Sequence, residues 1–241
     1  GHTADVNSAV FSPDGKLALT VSSDSTARIY EVSSGKEVHM LTRHTADVNS
    51  AVFSPDGKLV LTASSDSTAS IYEVSSGKEV QVLTGHTQGL SSAVFSSDGR
   101  YILTTSGDHK TILWETATGK PLYTRLQLKG NDWLVYDEHY RFDGTPGAIE
   151  KLYFTCGLEV VELGQMKDAL YVPELVEKIM NGEDINYPKL SDLDICGALP
   201  LIELKNESSQ GWLYSIEQRR WQIIRMEISV DGKVVKTIAS S

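Results

Sequence analysis

The first half of the chain alternates short apolar runs with polar turns, and the whole pattern recurs every 42 residues through three copies. In the first copy, residues 5–11, 17–21, 27–32 and 37–41 are strand-like runs rich in Val, Ile, Leu and Tyr. Ser12-Pro13-Asp14-Gly15, a polar stretch around Asp24, and Ser33-Ser34-Gly35 separate them. Proline suits the second position of such a turn, and glycine supplies the positive φ near its end. Each copy therefore predicts a four-stranded meander. A lone meander cannot bury both faces, so each copy must stack on its neighbours. Self-similarity at this period marks a repeat array, a class that presents binding surfaces more often than chemistry.

After residue 128 the period fades. Residues 133–137 and 140–144 read as strands, with Thr145-Pro146-Gly147 extending a turn, and 149–156 and 159–163 supply two more strands. Residues 129–164 are thus expected to form a degenerate terminal repeat. Residues 165–171 read as a short amphipathic helix and 173–180 as a second, with Pro173 as its first residue and Asn181-Gly182 as its stop. Residues 183–198 read as an extended linker. Beyond it, 199–205, 212–216, 221–230 and 233–238 are strand candidates, the last two flanking the hairpin signal Asp231-Gly232.

The repeats resemble the WD40 family. Gly-His-Thr stands at 1–3 and 85–87, with Arg-His-Thr at 43–45. Ser-Pro-Asp-Gly stands at 12–15 and 54–57, and Ser-Ser-Asp-Gly at 96–99. Asp24, Asp66 and Asp108 each precede an aromatic by six residues, and the closing dipeptides are Tyr30-Glu31, Tyr72-Glu73 and Trp114-Glu115 in place of Trp-Asp. The resemblance implies a mainly β fold, with residues 1–42, 43–84 and 85–128 as consecutive blades of a β-propeller. It also implies a buried side-chain network. In the third blade this would join His86, Asp108 and Trp114 through Thr104 or Ser106. In the first two blades Tyr30 and Tyr72 replace the indole, so the chain through His44, Asp66 and Tyr72 is expected to be partial. These histidines are read as structural, not catalytic.

Residues 132–190 resemble the tail of bacterial WD40 proteins, through Trp133-Leu134-Val135-Tyr136, the run Phe142-Asp143-Gly144-Thr145-Pro146-Gly147, and Leu170-Tyr171-Val172-Pro173-Glu174-Leu175-Val176. That likeness implies a helical segment and linker over 165–198, a partial immunoglobulin-like β-sandwich over 199–241, and an association with caspase-like peptidases. No room for a peptidase domain remains in this chain. Cys196 and His139 are the pair an enzymatic reading would need, but His139 is followed by Tyr140 and not by that family's glycine. Trp212, Trp221 and Arg219-Arg220 suggest a binding patch on the sandwich, and the aromatics of a small β core are the favoured explanation.

The first two copies differ at six positions: Gly1/Arg43, Ala18/Val60, Val21/Ala63, Arg28/Ser70, His39/Gln81 and Met40/Val82. Arg28, His39, Arg43, Ser70 and Gln81 are the candidate partner-binding residues, on the expectation that the array varies a recognition surface at a few points. Neutral drift between young duplicates is the competing explanation.

Composition narrows the function. The formal net charge of −10 disfavours nucleic acid and anionic membranes as partners. Two cysteines are too few for a disulfide framework, and no phosphate loop, metal spacing or cofactor motif stands out. No targeting segment is visible, although residue 1 lies inside a repeat. The expectation is a cytoplasmic, non-enzymatic protein–protein interaction scaffold or sensor. Further blades or self-association would close its ring, and a regulatory role beside a caspase-like peptidase is the alternative.

Overall fold

A computed structural model describes residues 1–156, 159–193, 200–206, 212–218, 225–230 and 233–239, with side chains left aside at 154–160 and from 200 onward. It divides into a unit of Gly1–Gln127 and a unit of Leu128–Ser241.

In the first unit, β1 (Val6–Phe11), β2 (Leu17–Ser22), β3 (Ala27–Glu31) and β4 (Glu37–Leu41) form one antiparallel sheet in chain order. The second blade repeats it with β5 (Val48–Phe53), β6 (Leu59–Ser64), β7 (Thr68–Glu73) and β8 (Glu79–Thr84). In the third blade β9 (Leu90–Phe95), β10 (Tyr101–Ser106), β11 (Lys110–Glu115) and β12 (Pro121–Gln127) pair in the same order. The β1–β2 turn closes as its residues dictate. Gly15 takes φ +71° and donates its N–H to Ser12 O at 2.9 Å, and Ser12 Oγ donates to Asp14 Oδ1 at 2.7 Å.

Alternation along the strands gives each blade two apolar faces. The leading face of blade one, Leu19, Val21, Ala27, Ile29 and Leu41, packs on the rear face of blade two, Val48, Ala51, Val60 and Tyr72. Blade two repeats the contact with Leu61, Ala63, Ala69, Ile71 and Leu83 against Leu90, Ala93, Ile102, Ile112 and Trp114 of blade three. Asparagine side chains tie the inner strands together. Asn7 Nδ2 donates to Val48 O at 2.9 Å, and Asn49 Nδ2 donates to Leu90 O at 2.7 Å.

The second unit mixes strands with short helices over the stretch expected as a terminal blade. β13 (Trp133–Tyr136) and β14 (Phe142–Gly144) form a hairpin. The turn expected at 145–147 is instead the start of α1 (Pro146–Lys151), because proline at the first position has the right φ and its missing N–H costs no bond. The following strand is correspondingly shorter, β15 (Tyr153–Cys156), and pairs with β16 (Glu159–Glu162).

A 3₁₀ turn at Leu163–Met166 leads into α2 (Lys167–Leu170). α3 (Leu175–Asn181) begins two residues later than expected, because Glu174 sits at φ +60°, its N–H held by Asp143 Oδ2 at 2.9 Å. Gly182 ends the helix at φ +68°. Val135, Val172 and Leu175 form a buried cluster in this unit, and Asp137 pairs with Arg141 beside it. A second 3₁₀ turn, Leu190–Asp192, lies in the stretch expected as a linker.

β17 (Pro200–Asn206) and β18 (Trp212–Gln218) make a two-stranded sheet. β19 (Arg225–Val230) and β20 (Lys233–Ala239) pair around the Asp231-Gly232 position, which itself lies outside the described residues. β19 also pairs with β15, giving the order β16-β15-β19-β20. The strands expected in a terminal blade are therefore shared out. Two form the β13–β14 hairpin, and two join a sheet with the C-terminal strands. Among the described residues no helix is long and apolar enough to cross a membrane.

Candidate functional site

The histidine, the aspartate and a threonine converge in every blade, and the aromatic joins them in the third. In blade three the indole Nε1–H of Trp114 donates to Thr104 Oγ1 at 2.8 Å, and that hydroxyl lies 2.8 Å from His86 Nε2. His86 Nδ1 lies 3.1 Å from both carboxylate oxygens of Asp108. An ionised carboxylate only accepts, so Nδ1 carries the proton and Nε2 accepts from the threonine. Thr104, not Ser106, is the relay, since Ser106 Oγ donates to Gln88 O at 2.8 Å. Asp108 also accepts the backbone N–H groups of Thr87 and Lys110, each at 3.0 Å. Burial alone would raise the Asp108 carboxyl, but His86 and these N–H donors hold it down at about 2.

Blades one and two keep the polar half of this chain. His2 bridges Asp24 at 3.0 Å and Thr20 at 2.7 Å, and His44 bridges Asp66 at 2.9 Å and Thr62 at 2.7 Å. Tyr72 does not join it. Its hydroxyl is buried with the Ser70 hydroxyl and the Arg43 backbone as polar neighbours, neither in good hydrogen-bond geometry, and burial pushes the phenol up to about 12. A phenol ends on the ring axis, whereas an indole carries its N–H on the ring edge, so the substitution moves the polar atom away from the threonine.

Four of the five candidate partner-binding residues are engaged by their own chain, and the fifth, Ser70, is buried. Arg28 Nη1 donates to Glu37 Oε2 at 2.7 Å within blade one. In blade two Ser70 occupies that position, and the equivalent acid, Glu79, is met instead by Arg43 Nε at 3.2 Å. His39 and Gln81 reach forward to the next blade. The His39 ring lies 2.8 Å from where a Cβ on Gly77 would stand, and Gln81 lies closer still at Gly119 while donating Nε2–H to Thr118 O at 2.6 Å. The sequence could have revealed the arginine exchange only by reading positions 1, 28 and 37 together, because no one of them differs from its copy in a way that names its partner.

The sequence reading also missed the tie made by Asn7 and Asn49. Its signal was present: the third copy places Ser91 there, which bonds Thr105 instead. For the enzymatic alternative, His139 lies 3.8 Å from Glu138, and Cys196 falls outside the described residues, as do the side chains of Trp212, Trp221, Arg219 and Arg220.

Residues 1–31, 35–73 and 77–115 match the family model described as WD domain, G-beta repeat. No curated protein sequence matches the chain. Among solved structures it is similar to "Structure of U3-55K", at 20% identity and a TM-score of 0.52, over 57% of this chain and 47% of that one. It is similar also to "Crystal structure of RRP9 WD40 repeats", at 21% identity and a TM-score of 0.50, over 57% of this chain and 46% of that one. The chain thus spans less than half the length of either, and at such identity the likeness speaks for the fold. These comparisons carry neither the immunoglobulin-like tail nor the bacterial and peptidase association that the sequence suggested. The first half of this chain is a run of three WD40 repeats.

Proposed function

We propose that the repeat unit is a protein–protein interaction scaffold and that the rear face of blade one is its docking surface. One observation carries this reading. Positions that are buried or half-buried in blades two and three lie open in blade one. Val6 and Phe11 are 54% and 69% exposed, against 0% for Val48 and half-burial for Phe53. Val32 and Met40 are exposed beside them, and Tyr30 is half-buried where Tyr72 is buried. Arg28 pairs with Met40 across β3 and β4 and so shares this face. Phenylalanine, tyrosine, methionine and arginine are the residues enriched in the cores of protein interfaces. An apolar patch of this kind on a water-facing sheet marks a contact site more often than an ordinary surface.

The test is a photoreactive phenylalanine analogue at position 11, irradiated in an extract of the source cell. A discrete protein adduct is expected, and Val6→Asp together with Arg28→Glu should abolish it while the circular dichroism stays unchanged. No adduct, with the chain folded, would overturn the docking surface.

A further inference from the structure

We propose that Asn181 is a self-modification site, converted to isoaspartate through the Gly182 amide whenever the last turn of α3 opens. Asn181 is the one asparagine of this chain that precedes glycine. Glycine has no Cβ to hinder its own nitrogen, so this dipeptide cyclises more readily than any other asparagine pair. Both residues are exposed, and a Cβ placed on Gly182 would meet nothing within 4 Å, so water reaches the peptide bond freely. In the reaction hydroxide takes the proton of the Gly182 N–H, and that nitrogen attacks Asn181 Cγ. The bond from Cγ to Nδ2 breaks, and ammonia leaves with a proton taken from water. Water then opens the succinimide. Attack at the main-chain carbonyl leaves Gly182 joined through Cγ, which is isoaspartate, and attack at Cγ leaves aspartate. Solvent is the only co-reactant, and nothing is oxidised or reduced.

The closed turn withholds each part of this reaction. Asn181 is the last residue of α3, and a helical ψ keeps the next nitrogen out of line with the side chain's Cγ. The Gly182 N–H donates to Ile179 O at 3.1 Å, so its proton is held. Asn181 Nδ2 donates to Glu183 Oε1 at 3.2 Å, which holds the leaving group. Opening costs little, because Met180, Asn181 and Gly182 are all exposed and no core is uncovered. The product cannot close the turn again. Its carboxylate has lost the Nδ2–H donor and faces Glu183, stands four residues from Glu177 on the same helix face, and sits at the negative end of the helix dipole. Isoaspartate also lengthens the backbone by one methylene. That breaks the register of Gly182 N–H on Ile179 O and of Glu183 N–H on Lys178 O at 2.9 Å. Ile179 and Ile185, which pack against Val135, Val172 and Leu175, then lose their frame.

The experiment ages the complete chain at neutral pH and follows the peptide carrying residues 181 and 182 by mass spectrometry, with isoaspartate scored by carboxyl methyltransferase labelling. Conversion should be slower in the folded chain than in guanidinium chloride by about tenfold or more, since the site reacts only through local opening. Lys178→Gly weakens the helix without emptying the core. It should speed conversion of the folded chain about threefold and leave the rate in denaturant unchanged. In the converted chain, hydrogen exchange over residues 175–181 should be faster by about tenfold, with β5–β8 unchanged. Equal rates in folded and denatured chains would overturn the gate, as would a folded Lys178→Gly chain that ages at the parent rate. Conversion that leaves exchange over 175–181 unaltered would overturn the loss of the turn. No conversion of the folded chain after about a hundredfold the half-life in denaturant would remove the site altogether.

Discussion

Arg28 and Glu37 face each other across β3 and β4 with 2.7 Å between Nη1 and Oε2. The next blade meets the same acid, Glu79, with an arginine from a different place, Arg43. Two of the six differences between the copies are thus one difference: the cation has changed its anchor while the anion stayed. Arg28→Ser is therefore expected to lower the melting temperature slightly, and a second change of Gly1→Arg should recover it by recreating the arrangement of blade two. If Gly1→Arg recovers nothing, the two arginines are not equivalent.

Trp114→Phe removes the indole donor from a relay whose hydroxyl is fully buried. The expected cost is about 1–3 kcal/mol in equilibrium denaturation, the usual range for breaking one buried hydrogen bond. Thr104→Val should cost more, because it strands both the indole N–H and His86 Nε2.

The opposite is expected at Tyr72, whose hydroxyl is buried without a partner. Tyr72→Phe removes a desolvated group and no bond, so stability should stay level or rise by about 1 kcal/mol. A loss of that size in urea denaturation would show that the phenol has a partner in solution.

Acid should loosen the blades in a defined window. Asp66 and Asp108 stand at about 2, below their ordinary value of 3.8. A depressed carboxyl contributes its stability above the unfolded value and loses it as the pH falls through the folded one. The denaturant midpoint should therefore decline between about pH 4 and pH 2, and more shallowly in Asp108→Asn. An equal slope in that variant would remove Asp108 from the account.

Asn49→Ala breaks the tie to Leu90 O and should cost about 1 kcal/mol, seen as faster hydrogen exchange in β9. Ser91→Ala, at the equivalent place in blade three, should leave the interface between blades two and three unchanged.

The sequence by itself determined what is local or periodic. Strands, turns and the spacing of His86, Asp108 and Trp114 were legible because alternation sets which face a side chain takes, and turn residues state their own backbone geometry. Pro146 misled for the same reason: proline suits a turn and a helix's first position equally, and the residues after it decide between them. Only the tertiary structure decided which groups meet at long range. The partner of Arg43, the reach of Gln81 onto Thr118, the unpartnered hydroxyl of Tyr72 and the pairing of β15 with β19 all depend on how elements distant in sequence come together. A one-dimensional pattern states that a residue is buried or polar, but a hydrogen bond or ion pair needs a second atom within about 3 Å, and that is set by packing.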